Sequence, residues 1–162
     1  MTASGPPDEE AFLVPAIDRI AAATRMPVPQ MSDADPIRIF LVEDSAILRD
    51  RLEETFASWG KIEMAGHAET EAVAEAALRT QNWDVLILDL QLLHGTGLGV
   101  LRSLKSHRRP GTVVIVLTNY AIPSYRARSM ELGADYFFDK ANDFAKLENV
   151  FSELAEKRKT TH

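Results

Sequence analysis

The chain has 162 residues, of which 46% are apolar, and a formal net charge of -6, and this length and composition suffice for one domain with one hydrophobic core. The net negative charge argues against nucleic acid as a partner, because affinity for a phosphate backbone depends on lysine and arginine side chains. The absence of cysteine excludes disulfides, thiolate metal sites and cysteine nucleophiles.

Residues 1–35 differ from the rest of the chain, because they contain five of its eight prolines. They lack the basic start and apolar run of a secretory signal, and no stretch of the chain approaches the roughly 18 apolar residues of a membrane span. Residues 11–23 have helical apolar spacing, but Pro15 weakens a helix there unless it lies in the first turn. We therefore predict a cytoplasmic protein without a membrane partner, whose residues 1–35 are an extension that is flexible or holds one short helix.

From Pro36 onward, apolar runs alternate with amphipathic segments. The runs predict strands at 37–42, 62–68, 85–88, 113–117 and 136–138, and the segments predict helices at 71–80, 98–106, 123–132 and 145–157. One more helix is predicted after Ser45, a good N-cap, with its core face formed by Ile47, Leu48, Leu52 and Phe56. Continuous apolar runs are typical of parallel strands that helices cover on both faces, so we predict a doubly wound α/β domain over residues 36–158 and a tail over 159–162.

Polar residues close or follow four of the five predicted strands. The carboxyl ends of parallel strands meet at one edge of a sheet, which is where ligands bind in such folds. Carboxylates, a hydroxyl and an ammonium group would meet at this edge: Glu43, Asp44, Asp89, Thr118, Asp139 and Lys140. Clustered carboxylates repel one another, and a hard divalent cation with oxygen ligands relieves that repulsion. The sequence therefore predicts a magnesium site.

A cation beside a carboxylate also supports phosphoryl transfer, because the cation draws charge from the phosphoryl group while the carboxylate attacks it. Asp89 is the best candidate nucleophile, since it ends the central predicted strand and is followed by a loop with Gly95 and Gly97 that leaves room for a donor. Lys140 would balance the phosphoryl charge, and the Thr118 hydroxyl would donate to a phosphoryl oxygen. The predicted product is an aspartyl phosphate.

Four segments, in order along the chain, resemble the motifs of the receiver domain of two-component response regulators. They are IFLVEDSAILRDRL with Glu43 and Asp44, DVLILDLQLLHGTGLGVL with Asp89 and Gly97, VIVLTNYA with Thr118, and GADYFFDK with Lys140. The resemblance extends over residues 37 to about 154. It implies a flavodoxin-like (βα)5 fold with the strand order 2-1-3-4-5, and a histidine kinase or histidine phosphotransfer protein as the phosphoryl donor.

The resemblance also implies a role for each matched position. Asp44 and Asp89 would ligate Mg²⁺ through their side chains, Glu43 would act through water, and Gln91 would contribute its backbone carbonyl. Thr118 and Lys140 would stabilise the phosphoryl group on Asp89. Thr118 and Phe137 would form a switch pair, in which the hydroxyl moves toward the phosphoryl group as the aromatic ring turns inward.

Other functions are weaker alternatives. A hydrolase of the aspartyl-phosphate type normally has a second aspartate two residues after the nucleophile, and Gln91 occupies that position here. A flavodoxin-like cofactor binder needs a first loop that cradles phosphate, whereas Glu43 and Asp44 would repel it. The run 95–99 has the spacing G-x-G-x-G, which is not a dinucleotide fingerprint. A pseudo-receiver that binds partners without being phosphorylated stays open, because a motif does not establish a kinase.

The chain leaves no residues after about Lys159 for an output domain. We therefore expect a single-domain receiver, monomeric or weakly dimeric, with no enzymatic activity beyond its own phosphorylation and dephosphorylation. The expected output surface is the fourth helix, fifth strand and fifth helix, because Thr118 and Phe137 flank it. A partner would report phosphorylation there only by binding the two states with unequal affinity.

Overall fold

The computed structural model describes residues 35–161, with side chains for residues 35–159. Five strands alternate with five helices in this part of the chain. In chain order they are β1 (Ile37–Val42), α1 (Ala46–Ala57), β2 (Ile62–Ala68), α2 (Glu71–Thr80), β3 (Val85–Leu88), α3 (Gly97–Leu104), β4 (Val113–Thr118), α4 (Pro123–Glu131), β5 (Tyr136–Asp139) and α5 (Phe144–Thr161). The extension and the short helix predicted within residues 1–35 lie outside the described residues, apart from Asp35.

The five strands form one parallel sheet in the order β2-β1-β3-β4-β5. This order confirms the predicted doubly wound, flavodoxin-like fold. Every residue of β3 is buried, as is expected for a central strand that helices cover on both faces. No helix in the described range is both long enough and apolar enough to cross a bilayer.

The sheet separates two apolar cores, because successive side chains of a strand point to opposite faces. In one core, Phe40 and Phe137 pack with residues of α2 and α3. In the other, Leu41 and Phe138 pack with residues of α1 and α5. Phe137 and Phe138 are adjacent in β5, yet each belongs to a different core.

Helix α1 begins at the predicted N-cap. The Ser45 hydroxyl accepts a hydrogen bond from the Leu48 amide at 3.2 Å, and Leu52 and Phe56 are buried as expected. The prediction for Ile47 was wrong, because its side chain is 71% exposed. Residues 48, 52 and 56 are spaced by four and therefore share one face, whereas residue 47 precedes that row by one position, about 100° around the helix.

Two elements end in polar residues that were predicted to lie beyond them. Strand β4 includes Thr118 and strand β5 includes Asp139, so both side chains sit on the last rung of the sheet. Thr118 and Asp139 pair across that rung. The sheet itself, and not only the following loops, therefore positions part of the polar edge.

We predict that Phe56→Ala lowers the free energy of unfolding by about 3 to 5 kcal/mol, because it removes a fully buried ring from a packed core. The Phe56 ring lies 5.3 Å from Trp59 and 5.8 Å from Phe151 between centroids. The control is Ile47→Ala on the same helix, which should change stability by less than about 0.5 kcal/mol. Urea unfolding followed by circular dichroism measures both, and comparable losses in the two variants would contradict this placement of Ile47.

Candidate phosphoacceptor site

Backbone pairing at the carboxyl ends of β1 and β3 fixes the first two acidic residues. The Asp89 amide donates to the Val42 carbonyl at 3.0 Å, and the Glu43 amide donates to the Ala68 carbonyl at 3.0 Å. Because Val42 pairs with Leu88 in the ladder, Glu43 and Asp89 leave adjacent strands side by side. The register of the sheet therefore places both carboxyl groups at one point of its edge.

Three carboxyl groups meet at this point. Glu43, Asp44 and Asp89 each offer an oxygen, and the three oxygens lie within 4.8 Å of one another. Glu43 is 3% exposed and Asp89 is 6% exposed, whereas Asp44 is more open to solvent. An all-oxygen set that is partly open to water fits a hard divalent cation that keeps several of its own waters.

Lys140 neutralises the two buried members of this cluster. Its ammonium nitrogen lies 2.8 Å from Glu43 Oε1 and 2.7 Å from Asp89 Oδ2, and donates a hydrogen bond to each. The lysine side chain is itself only 11% exposed. Its backbone amide donates to the Thr118 carbonyl at 2.9 Å, so the strand that carries Thr118 also anchors the lysine.

The pKa values of these groups reflect burial and pairing together. Burial raises the pKa of the Glu43 carboxyl above 4.5, although its hydrogen bond with Lys140 acts in the opposite direction. Burial alone would lower the pKa of Lys140, but its hydrogen bonds to Asp89 and Glu43 outweigh that effect and raise the pKa above 10.5. The lysine therefore stays charged in the metal-free site.

Gly97 lets helix α3 start against the backbone of Asp89. Its amide donates to the Leu90 carbonyl at 3.0 Å, and a Cβ at this position would lie 2.3 Å from the Asp89 carbonyl oxygen. Nearby, Asp89 Oδ1 accepts a hydrogen bond from the Gln91 amide at 3.2 Å. A glycine is therefore required where the loop returns past Asp89, and the side chain of Gln91 is exposed, away from the core.

The two residues predicted as a switch pair are both buried, near the carboxyl ends of β4 and β5. Thr118 is fully buried, and its hydroxyl accepts a hydrogen bond from the Tyr120 amide at 3.1 Å. The Phe137 ring is also buried, and the Arg126 guanidinium lies 5.0 Å from its centroid. Arg126 also donates to the Phe137 carbonyl at 3.3 Å, so α4 holds the strand at this residue.

The Asp139 carboxylate, which was predicted to join the polar edge, forms hydrogen bonds within the loop that follows it. Its carboxylate accepts hydrogen bonds from the Ala141 amide and the Asn142 side-chain amide, both at 2.9 Å. Its own amide donates to Asp143 at 2.9 Å. Asp139 is therefore a turn residue that shapes the connection to α5, and the prediction that it joins the carboxylates was wrong.

Arg49 supports the site and was missed in the sequence. Its guanidinium donates to the Glu43 carbonyl at 2.9 Å and pairs with Glu69 at 3.0 Å. A cation near the start of a helix interacts unfavourably with the helix dipole. The position of Arg49 in the first turn of α1 therefore indicated that its side chain has a partner elsewhere in the fold.

A doubly wound parallel sheet that gathers three carboxylates and a lysine at the carboxyl ends of its strands defines the class of signalling receiver domains. The family model of the response regulator receiver domain matches residues 39–152. The chain therefore belongs to the response regulator receiver family of two-component signalling.

Curated relatives match this chain over a receiver-sized part of their length. The chain is 34% identical over 123 residues to protein-glutamate methylesterase/protein-glutamine glutaminase 1 of Carboxydothermus hydrogenoformans, covering 75% of this chain and 35% of that protein. It is 37% identical over 112 residues to protein-glutamate methylesterase/protein-glutamine glutaminase 5 of Anaeromyxobacter dehalogenans, covering 67% and 30%. The chain thus spans about a third of these relatives.

Solved structures share the fold. The response regulator domain of Thermotoga maritima CheB superposes with a TM-score of 0.64 at 20% identity, covering 77% of this chain and 97% of that one. A response regulator protein from Burkholderia pseudomallei, crystallised with a phosphorylated aspartic acid, a calcium ion and citrate, superposes with a TM-score of 0.62 at 19% identity, covering 75% and 72%.

We predict opposite effects on metal-free stability from two substitutions in the cluster. Lys140→Met leaves Glu43 and Asp89 buried without their cation and should lower the free energy of unfolding by roughly 3 kcal/mol. Asp44→Asn removes a like charge from a more exposed position and should raise it by up to about 1 kcal/mol. Urea unfolding in chelator at low ionic strength measures both, and a shift of the same sign in the two variants would refute this account of the charges.

The raised pKa of Glu43 predicts a pH dependence. Because this carboxyl holds its proton more tightly in the folded than in the unfolded state, the folded state binds more protons above pH 4.5, and stability falls as the pH rises through that window. Glu43→Gln removes this contribution, so its stability relative to the metal-free parent should increase from pH 4.5 toward neutrality. Unfolding curves across that range measure the difference, and a difference independent of pH would contradict the assignment.

Proposed function

We propose that this chain is a phosphoacceptor, which takes a phosphoryl group from a histidine kinase or histidine phosphotransfer protein onto Asp89. The observation that carries the proposal is the position of the Asp89 carboxylate. It is buried at the end of β3, is contacted by the Lys140 ammonium at 2.7 Å, and lies in a cluster of three carboxylates. A carboxylate that is desolvated and charge-balanced in this way is suited to nucleophilic attack on phosphorus.

In the proposed step, an Asp89 oxygen attacks the phosphorus of a phosphohistidine. A P–O bond forms and the P–N bond breaks, and its electron pair returns to the imidazole nitrogen of the donor. Lys140 already contacts one Asp89 oxygen, so it balances the negative charge that the phosphoryl group brings. The Thr118 hydroxyl, now an acceptor for the Tyr120 amide, can turn and donate to a phosphoryl oxygen.

Mg²⁺ is the proposed cofactor, because the cluster supplies carboxylate oxygens alone and is open to water on one side. Asp44 and Asp89 would hold it by side chain, Glu43 through water and Gln91 through its backbone carbonyl. When bound, the ion would supply charge neutralisation for the phosphoryl oxygens. The phosphorylated aspartic acid and calcium ion of the Burkholderia pseudomallei protein support this assignment by analogy of fold.

The proposed signal leaves through α4, β5 and α5. Phe137 packs in the core with residues of α2 and α3, and Arg126 of α4 contacts both its ring and its carbonyl. A movement of Thr118 toward the phosphoryl group would change the space beside Phe137, and α4 would respond through Arg126. A protein partner at this surface would read the two states by unequal affinity. We propose that the chemistry of this chain is confined to gain and loss of its own phosphoryl group.

The test is phosphorylation by a small-molecule phosphodonor such as phosphoramidate, followed by intact mass. We expect the parent protein to gain one phosphoryl group with Mg²⁺ and none in chelator, and Asp89→Asn to gain none in either. Asp139→Asn is the matched control, because it also removes a strand-end carboxylate, but one that is bonded within a turn. Its phosphorylation rate should stay within about threefold of the parent rate. Loss of a residue that supports a metal ligand would instead lower activity by about tenfold or more.

Two results would contradict the proposal. One is an adduct on the Asp89→Asn protein at the parental rate, which would place the acceptor elsewhere. The other is no adduct together with no Mg²⁺ binding by calorimetry, which would favour a pseudo-receiver that acts by binding partners alone.

A further inference from the structure

Two glycines that follow Asp89, Gly95 in the loop and Gly99 in the first turn of α3, lie against one side chain from another helix. A Cβ on Gly95 would lie 2.4 Å from the Cβ of Glu71, and a Cβ on Gly99 would lie 2.2 Å from Glu71 Oε2. Gly95 also has φ +83°, a conformation that side chains rarely adopt. Two of the three glycines in this run therefore clear space for Glu71, the first residue of α2, while the third, Gly97, faces Asp89.

Glu71 is bonded to this loop through its side chain and its backbone. Its Oε1 accepts a hydrogen bond from the Thr96 amide at 2.9 Å, and its own amide donates to the His94 carbonyl at 3.0 Å. Thr96 is the N-cap of α3, so the carboxylate also lies at the positive end of that helix. A hydrogen bond from a backbone amide to a charged acceptor is stronger than one between neutral groups.

The backbone pairing of Thr96 leads back to the proposed metal site. Thr96 pairs with Gln91 in an antiparallel bridge, next to the bond that the Gly97 amide donates to the Leu90 carbonyl at 3.0 Å. The Gln91 amide donates to Asp89 Oδ1 at 3.2 Å. Gln91 is the residue whose backbone carbonyl is proposed to ligate Mg²⁺. The contacts that run from Glu71 through Thr96 therefore end at the Gln91 backbone carbonyl, the one proposed ligand that is not a carboxylate.

We propose that Glu71 is a positioning residue for the phosphoacceptor loop: by holding the Thr96 amide it fixes the bridge to Gln91, and so aims the Gln91 carbonyl at the metal. This inference rests on the proposed function. It assigns a role in metal affinity to a carboxylate that is not among the three that would hold the ion. It also gives the glycine-rich run a structural purpose, which is to admit the side chain of Glu71.

The test measures Mg²⁺ affinity by calorimetry and, in chelator, hydrogen exchange of the Gln91 and Thr96 amides. Glu71→Ala should weaken Mg²⁺ binding at least about tenfold, as the loss of a residue that orients a ligand does, and should speed exchange at both amides. Glu71→Gln keeps an acceptor oxygen for the Thr96 amide and should retain most of the affinity. Retained affinity in Glu71→Gln would show that the hydrogen bond to the Thr96 amide matters and that the negative charge of Glu71 does not.

The matched control is Thr70→Ala. The Thr70 hydroxyl caps α2 by accepting from the Val73 amide at 3.2 Å, so its loss destabilises the same helix end but leaves the bond from Thr96 to Glu71. Thr70→Ala should lower Tm yet bind Mg²⁺ with parental affinity. Equal affinities of Glu71→Ala and Thr70→Ala would overturn the proposal.

The two proposals fail separately. If the parent protein binds no Mg²⁺ and accepts no phosphoryl group, the proposed function fails. The exchange measurement then still decides the role of Glu71, since unchanged exchange of Gln91 and Thr96 in Glu71→Ala refutes the positioning and faster exchange than in Thr70→Ala supports it.

Discussion

One ammonium group shared between two buried carboxylates is the interaction on which the arrangement of this edge depends. Parallel pairing of β1 with β3 forces Glu43 and Asp89 together, because each follows the same rung of the ladder. Two desolvated like charges at that distance oppose folding. Lys140 arrives from the end of β5, on the far side of β4, and offsets the repulsion by contacting both. The two carboxylates, the lysine and the register of the sheet therefore depend on one another and form one structural unit.

The supports of this unit come from parts of the chain that are distant in sequence. Arg49 on α1 holds the carbonyl of Glu43, and the carbonyl of Thr118 holds the amide of Lys140. Gly97 brings α3 against the carbonyl of Asp89. Each of these three supports fixes a backbone group, and none of the three uses a carboxylate oxygen that a cation or a phosphoryl group would contact.

The sequence was sufficient for the strands, the Ser45 cap and the gathering of Glu43, Asp44, Asp89 and Lys140, because these follow from apolar periodicity and from the rule that parallel strands end together. It was insufficient where a side chain beyond a strand end had a choice of partners. Asp139 bonds to its own turn, and periodicity does not report such local bonds. The contact of Glu71 with Thr96 was invisible for a related reason, since it joins residues that are 25 positions apart, at the starts of α2 and α3. The prediction that Ile47 lies on the core face of α1 was wrong because this residue is one position away from the buried row.

The division of the interior into two cores has a mechanical consequence at β5. Phe137 contributes volume to the layer covered by α2 and α3, whereas its neighbour Phe138 contributes to the layer covered by α1 and α5. A rotation of the Phe137 ring would open a void on one side of the sheet alone, and close-packed interiors do not tolerate such voids without movement. Helix α4 contacts Phe137 directly through Arg126, whereas α5 packs in the other core beside Phe138. The proposed movement of Phe137 would therefore change the packing on one side of the sheet alone.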